Sequence, residues 1–505
     1  MLTRTSTIAL VLCIFGLGLG LFTRHNGFEY YYHPDEYRKV RQLVKSERNF
    51  HHPMLMLTTV DLVRRATLRG SSKRDSQSVV LVGRWVTAAF AAAAAAALAL
   101  LAARQYGLLA GWLAGVLVLS NSLLFELAHY LKEDPYFAAG IAFTALALHA
   151  FQRKPDAPRL RWLAAATAMA AAGKFVGIAL LPMVLIAVWR RSAPPGYMEQ
   201  RARIRRFLVV FALVWLVLNY WIFKTPAMMW SSIGEEMQKA YAGEAQRQGP
   251  HAFYLRVQEQ NGGWLAPALA GLWLLWAMRH ARRVPYAEWV LAGSSLLYFV
   301  VFSCTPKDST RYYLPIAISL CYFAVAGVMV WARQFRWKGM TWAAAALVLI
   351  TAGAQSRSLA EAWDGFTHDD REQLEDWVTA NLPADAVIAQ DEAVNLPEPG
   401  RLSKKHEGRA PLPQRVIGAP VLADLGDLAK LKSMGITHAA INHRTYSRYL
   451  NGSLDIQEGT PAAAIRQFYL TITDSGRIIW ETPPGRNGHL QPGLRLIDIR
   501  AIPER

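Results

Sequence analysis

The sequence predicts an α-helical integral membrane protein of about 11 transmembrane helices with a small α/β domain at its C-terminal end. Of its 505 residues, 53% are hydrophobic and only 18% are charged, which suits a membrane bundle joined to a polar domain. Apolar runs of spanning length recur up to residue 355. Beyond residue 356 they stop, so we expect a transmembrane domain over 1–356 and a second domain over 357–505.

The predicted spans follow from runs of roughly 20 mostly apolar residues. They cover residues 7–23, 85–103, 108–128, 136–151, 161–172, 175–189, 207–223, 264–278, 287–303, 312–332 and 340–355. Gly173 and Lys174 interrupt the fifth and sixth segments. No A-x-A cleavage site follows the first segment, which is therefore predicted to be an uncleaved span.

The basic residues predict an orientation. With the N-terminus inside, nearly every short loop rich in Arg and Lys falls on the inside, as the positive-inside rule requires. These residues are Arg104, Arg153, Lys154, Arg159, Arg161, Arg190, Arg191, Arg201, Arg203, Arg205, Arg206, Arg279, Arg282, Arg283, Arg333, Arg336 and Lys338. Topology thus explains the net charge of +18, and no nucleic-acid partner is needed.

The opposite side receives the long loop 24–84 and everything after residue 356. In a Gram-negative bacterium this face of the inner membrane would be periplasmic. Within the loop, residues 35–48 and 55–69 are amphipathic and basic, which predicts helices lying in the membrane interface.

The C-terminal residues predict alternating helices and strands. A helix with an acidic first turn is expected over 369–381 and another near 424–434. Short strand-like runs follow the pattern of a small α/β domain. They occupy residues 386–390, 437–442 and 494–499.

Two adjacent acids, Asp35 and Glu36, stand behind Pro34 in "HPDEY". Acids after a proline commonly occupy the first turn of a helix, where they interact favourably with the helix dipole. A carboxylate held at such a position near a membrane surface could also act as a general base toward an attacking hydroxyl. The two interpretations are compatible.

Further polar residues occur on the same predicted side. His51 and His52 could bind metal, contact a phosphate or lie at the interface. Because adjacent histidines point in different directions, a metal site built on them needs a further ligand. The turn containing Lys132, Glu133 and Asp134 is either a plain polar turn or part of an acid cluster with Asp35.

Three cations near span ends suggest a pocket for an anionic head group whose tail stays in lipid. They are Lys174, Lys307 and Arg311. Snorkelling of Lys174 and pairing of Asp308 with Lys307 or Arg311 are the structural alternatives.

The sequence contains no nucleotide-binding glycine motif, no H-E-x-x-H and no G-x-S-x-G. Its three cysteines lie in or beside apolar segments and indicate no disulfide framework.

Several short motifs resemble the GT-C glycosyltransferases that use polyprenyl-phosphate sugars, in particular the protein O-mannosyltransferase and lipid A aminoarabinose transferase group. The motifs are "HPDEY" (33–37), "HHPML" (51–55), "GRWVTAAF" (83–90), "LKEDPYF" (131–137), "GKFVGIALLP" (173–182) and "KDSTRYYLP" (307–315). The resemblance implies a GT-C fold and an inverting transfer of a sugar to an acceptor hydroxyl on a lipid, protein or glycan.

The resemblance also implies residue roles. Asp35 matches the catalytic acid with Glu36 beside it, whereas Lys174, Lys307 and Arg311 match positions that hold the departing lipid phosphate. A divalent cation, Mg²⁺ or Mn²⁺, stays open, with Asp35, His52 and Asp134 as candidate ligands. Relatives often carry a lysine where this chain has His51 and His52, which leaves metal use and phosphate contact at that point undecided.

The sequence leaves open two alternatives to an enzyme. A transporter or flippase for a lipid-linked sugar would show related halves and broken helices near mid-bilayer, and no internal repeat is visible. A non-catalytic glycan-binding membrane protein would tolerate loss of Asp35, whereas a transferase would not.

Overall fold

The computed structural model describes residues 3–190, 197–241, 250–303, 309–335, 339–392, 394–398, 411–451 and 456–503. The chain is mostly helical, at 73%, with a small sheet near its C-terminal end. Its internal contacts define two units, residues 1–28 with 38–360 and residues 29–37 with 361–505.

The α-helices up to residue 381 follow the apolar segments and the predicted amphipathic segments. They are α1 Arg4–Thr23, α2 Pro34–Lys45, α3 Leu55–Thr67, α4 Ser76–Tyr106, α5 Leu108–Leu119, α6 Ser122–Ala128, α7 Asp134–Arg153, α8 Ala157–Gly173, α9 Leu180–Arg190, α10 Tyr197–Leu218, α11 Pro226–Tyr241, α12 Pro250–Gln260, α13 Leu265–Arg279, α14 Tyr286–Ser303, α15 Leu314–Gln334, α16 Met340–Thr367 and α17 Asp370–Asn381. Short 3₁₀ segments cover Gly70–Lys73, Phe175–Ala179, Tyr220–Phe223, Ala281–Arg283 and Thr310–Tyr313.

Every predicted span is helical in the described part of the chain. Within the described residues, five helices are long and apolar enough to cross a membrane, or six if α5 and α6, which meet at a bend of 63°, form one span. The count of about 11 spans therefore stays a prediction. The interruption predicted at Gly173 and Lys174 is present, because α8 ends at Gly173 and Lys174 is extended.

Local signals explain where the helices begin. Asp75 caps α4 by accepting a hydrogen bond from the Ser78 amide, and Asp156 caps α8 through the Arg159 amide. Pro135 lies in the first turn of α7, where its missing N–H costs nothing. The amphipathic segments form α2 and α3 with bounds close to those predicted. Their location in the membrane interface stays a prediction.

Small residues let α7 and α8 approach closely. A Cβ added at Gly140 of α7 would lie 2.5 Å from the Ala170 Cα and 2.6 Å from its nitrogen in α8. The side chains of the Ala91–Ala97 run are also mostly buried. Close backbone packing through small residues is the usual way that helices associate in membranes, because lipid offers no hydrophobic drive between them.

The C-terminal unit contains a five-stranded sheet of order β2-β1-β3-β5-β4. Its strands are β1 Val387–Asp391, β2 Arg415–Ala419, β3 His438–Asn442, β4 Arg477–Glu481 and β5 Leu494–Asp498, and its helices include α18 Leu428–Ser433, α19 His443–Leu450 and α20 Pro461–Ser475, with a 3₁₀ segment at Leu422–Leu425. β1 pairs in parallel with β2 and β3, whereas β5 is antiparallel to β3 and β4. Alternate strand residues fill two cores, one on each face.

The predicted strands β1, β3 and β5 and helix α17 are confirmed. β2, β4, α19 and α20 were not predicted. β2 and β4 are the edge strands and are only partly buried.

We expect Gly140→Ala to destabilise the membrane unit by about 1–3 kcal/mol, because the added methyl meets backbone atoms of α8 that cannot rotate away. Gly271→Ala in α13 is the matched control, since nothing lies within 4 Å of its added Cβ. Thermal unfolding in detergent would compare the two variants. Equal midpoints for both would contradict the close α7–α8 packing.

Candidate active site

Two buried carboxylates lie at the turn between α6 and α7, where α7 begins. Glu133 is the residue immediately before α7 and is 1% exposed, and Asp134 is the first residue of the helix at 2%. The backbone amides at a helix N-terminus favour negative charge, which helps to hold the two acids there. Burial on this scale demands cationic partners.

Three basic side chains from three other segments surround Glu133. The Lys39 ammonium of α2 donates to the Glu133 Oε2 and, at 3.2 Å, to the Leu131 carbonyl. The His52 Nε2 lies 3.2 Å from the Glu133 Oε1. An Arg311 nitrogen, from the 3₁₀ segment Thr310–Tyr313, lies 4.0 Å from the same oxygen. The first loop, the α6–α7 turn and the start of α15 thus meet at one carboxylate.

Burial alone would raise the pKa of Glu133, but His52, Lys39 and Arg311 together hold that pKa well below its usual 4.5. Burial also lowers the pKa of His52, against the attraction of Glu133. His52 is therefore uncharged at neutral pH. The lasting positive charge beside Glu133 comes from the lysines and Arg311.

A second ion pair lies next along the chain. The Lys174 ammonium pairs with the Asp134 Oδ1, and both side chains are nearly buried. The same ammonium lies 4.9 Å from the centre of the Tyr312 ring, and the Arg311 guanidinium lies 5.5 Å from it. Lys174 and Arg311 therefore lie near the same ring, that of Tyr312, and their role in binding an anionic head group stays a prediction. Lys307 lies outside the described residues.

The two histidines point in different directions, as predicted. The His51 Nδ1 lies 3.4 Å from a Glu236 carboxylate oxygen of α11, whereas His52 contacts Glu133. Among the residues that the structure describes, no three His, Cys, Asp or Glu side chains could together hold a metal ion. The predicted ligands Asp134 and His52 instead contact Lys174 and Glu133, so a divalent cation stays a prediction without an observed ligand set.

Asp35 and Glu36 occupy the first turn of α2, as the helix-opening interpretation predicted. Asp35 is half-buried, and its amide donates to the His33 Nδ1 at 3.2 Å. Glu36 is fully buried. Their catalytic role is not tested by these contacts and stays a prediction.

Sequence reasoning missed Lys39, which it placed on the basic face of an interfacial helix. A signal was present, because positions 36, 39, 40 and 43 recur at helical spacing. In the structure that stripe is buried throughout: Glu36 at 0%, Lys39 at 6%, Val40 at 1% and Leu43 at 0% exposed. A lysine on a helix stripe shared with apolar residues predicts a buried acidic partner.

No protein-family model and no curated protein matches the chain. Solved structures do match it, and they define the class of fold: the chain has the GT-C fold of a multi-pass membrane protein. The residue identities are low, so the similarity concerns the fold.

The chain is similar to ArnT from Cupriavidus metallidurans, in a crystal structure bound to undecaprenyl phosphate, with a TM-score of 0.53 and 13% identity over 99% of this chain and 98% of that one. It is also similar to the oligosaccharyltransferase of Archaeoglobus fulgidus in its apo form, with a TM-score of 0.54 and 10% identity over 96% and 80% of the two chains. For the same enzyme tethered to an acceptor peptide with an NVT sequon, the TM-score is 0.51 at 11% identity, over 96% and 74%.

We expect Glu133→Gln to lower the free energy of unfolding by about 3–5 kcal/mol, because it leaves the buried Lys39 ammonium without its counter-charge. Adding Lys39→Met to that variant should recover part of the loss. Lys45→Met, an exposed charge on the same helix, is the control. Thermal unfolding in detergent measures all four proteins, and a double variant no more stable than Glu133→Gln would argue against the pair.

The pH dependence of stability follows from the lowered pKa of His52. A folded-state pKa below the usual 6.5 means that the unfolded chain binds the proton more readily, so stability is full above pH 6.5 and is lost as the pH falls below it. Glu133 acts in the same direction, in a window below pH 4.5. Between about pH 7 and pH 5, the wild type should therefore lose more thermal stability than His52→Gln. Parallel losses would refute the assignment.

Proposed function

We propose that this protein is a glycosyltransferase that moves a sugar from a polyprenyl-phosphate donor to an acceptor hydroxyl, with inversion at the anomeric carbon. The observation that carries the proposal is the charge of the cluster around Glu133. Four permanent cations face two carboxylates there. The cations are Lys39, Lys132, Lys174 and Arg311, and the carboxylates are Glu133 and Asp134. A buried site that brings several lysine and arginine side chains together suits an anionic group such as a phosphodiester.

The cations would act on the leaving group. As the bond between the anomeric carbon and the phosphate oxygen breaks, negative charge grows on the departing lipid phosphate. Lys174 and Arg311 are held in fixed positions by Asp134, Glu133 and the Tyr312 ring, so stabilising that charge would require little reorganisation. A lysine ammonium has three N–H donors, so Lys174 could donate to Asp134 and to a phosphate at the same time. Lys307 is the third cation proposed for this role.

Asp35 would supply the base. In a single displacement, the acceptor oxygen attacks the anomeric carbon from the face opposite the phosphate, and its proton passes to a carboxylate. Asp35 lies in the first turn of α2, four residues before Lys39, so the two side chains share one face of that helix. Because a helix start fixes side-chain direction, Asp35 is held rigidly for this task. Glu36 would assist or substitute.

We also propose a class of donor, a class of acceptor and a location for the reaction. ArnT in the similar structure is bound to undecaprenyl phosphate, and the oligosaccharyltransferase is tethered to an acceptor peptide. By analogy of fold, we propose a lipid-linked donor here and an acceptor that is a lipid, protein or glycan. We also propose that the Glu133 end of α7 and the C-terminal domain belong to the extracytoplasmic side of a bacterial inner membrane, which the positive-inside rule supports because the short basic loops would lie on the inside.

We expect Asp35→Asn to abolish donor turnover while leaving donor binding within about twofold, because a base acts on the acceptor proton and not on the lipid phosphate. Purified full-length protein in detergent would be incubated with radiolabelled polyprenyl-phosphate sugars and membrane extract as acceptor source. Glu47→Gln, an exposed acid just after α2, is the matched control and should retain wild-type turnover.

Turnover by wild type and Glu47→Gln, but not by Asp35→Asn, would support the transferase. Unchanged turnover in Asp35→Asn would remove Asp35 from the mechanism. If all three proteins bind the donors and none consumes them, a lipid-linked sugar transporter or a glycan-binding protein becomes the better assignment.

A further inference from the structure

The far end of α7 carries a second basic region, remote from Glu133. α7 has 20 residues and is therefore about 30 Å long, with Glu133 just before its first residue and Arg153 as its last. Two adjoining cavities open at the Arg153 end, and they share Gln105, Arg283 and Pro285. The glycosyl-transfer proposal uses no residue of this region.

The first cavity, of about 880 Å³, combines cations with an apolar wall. Arg279, Arg283 and Arg333 line it with Leu275, Trp276 and Trp331. Tyr106 also lines this cavity, and two contacts hold its side chain in position. Its hydroxyl donates to the fully buried Glu288 at 2.5 Å, and the Arg333 guanidinium lies 5.5 Å from the centre of its ring. Glu288 also accepts from Tyr322 and Trp273, so its carboxylate is bound to three donors below the cavity.

The second cavity, of about 590 Å³, is lined by four arginines: Arg104, Arg153, Arg282 and Arg283. His149, only 6% exposed, lines it as well. The His149 Nδ1 lies 2.8 Å from the Gln105 Nε2, while its Nε2 is buried and makes no hydrogen bond within the described ranges. A buried ring nitrogen without a partner needs a ligand or an ordered water.

Charge balance favours an anion at these cavities. In the described part of the chain, none of the arginines that line the two cavities forms an ion pair with a carboxylate. The positive-inside rule accounts for arginines at this end of the bundle. It does not account for two adjoining cavities or for the unpartnered nitrogen of His149.

The apolar wall favours a lipid over a free anion. Leu275 lines the first cavity and is 56% exposed, and Met278 on the same helix is 61% exposed. Acyl chains can lie along these side chains while the head group enters the cavities. Basic pockets between membrane helices bind phosphate-bearing head groups in this way. Two adjoining basic cavities match a lipid with two phosphates.

We propose that this region binds the head group of an anionic phospholipid, with one phosphate in each of the two cavities and its acyl chains along α13. The Arg283 guanidinium, which lines both cavities, contacts both phosphates.

The test uses native mass spectrometry of the purified full-length protein in detergent, titrated separately with cardiolipin, phosphatidylglycerol, phosphatidylcholine and inorganic pyrophosphate. Each basic residue near an anionic group changes lipid affinity by about fivefold. We therefore expect cardiolipin affinity to fall about fivefold in Arg283→Gln and about 25-fold in Arg104→Gln/Arg153→Gln. These side chains are exposed, so the variants should fold, and thermal unfolding would verify it.

Arg206→Gln, an exposed arginine of α10 that lines neither cavity, is the matched control and should bind cardiolipin like the wild type. Phosphatidylcholine binding as tight as cardiolipin binding, or equal losses in Arg206→Gln and Arg283→Gln, would overturn the site. Pyrophosphate that binds as tightly as cardiolipin would overturn the lipid assignment and indicate a soluble anion. Failure of the glycosyl-transfer experiment leaves each of these outcomes unaffected.

Discussion

The membrane unit depends on keeping the Glu133 carboxylate charged inside protein. An ionised carboxylate at 1% exposure is tolerated only when cations pair with it, and here Lys39 and Arg311 supply the positive charge. The neutral His52 ring contacts the same carboxylate. Glu133 is therefore the residue at which α2, the His51–His52 segment, α7 and the start of α15 meet.

The same arrangement links stability to chemistry. Buried ion pairs whose hydrogen bonds are incomplete contribute little net stability. They nevertheless hold charged groups in fixed positions in a site from which water is excluded. One oxygen of Glu133 and one of Asp134 make no hydrogen bond in the described part of the chain. Such groups are typical of a site that is complete only with its ligand. The ligand that we propose for this site is an anion, because lysine and arginine side chains gather there.

The fold is shared with proteins of which only 10–15% of residues are identical, and physical constraints explain how. Spanning helices need apolar residues of almost any kind, and close contacts such as Gly140 with Ala170 need only small ones. Specific residues are needed where charge is buried or a helix must begin. Those positions are few, so overall identity can be low while the architecture is retained.

The sequence by itself determined the helices, the break at Gly173–Lys174, the start of α2 at Pro34 and the central strands β1, β3 and β5. These depend on local properties, namely apolar length, capping residues and continuous apolar runs. It also indicated that His51 and His52 diverge and that Lys174 and Arg311 are candidates for one pocket.

Only the tertiary structure decided which charges meet. The pairing of Glu133 with Lys39, residues 94 positions apart, is not encoded in any local pattern, because an interfacial helix and a buried one both show a basic face. The edge strands β2 and β4 were likewise not predicted from the sequence, and each gains its hydrogen bonds only by pairing with a neighbouring strand of the folded sheet. The cavities at the Arg153 end of α7 arise where several segments converge, and no single segment reveals them. Long-range contacts are set by how the segments pack, and a local sequence pattern does not specify that packing.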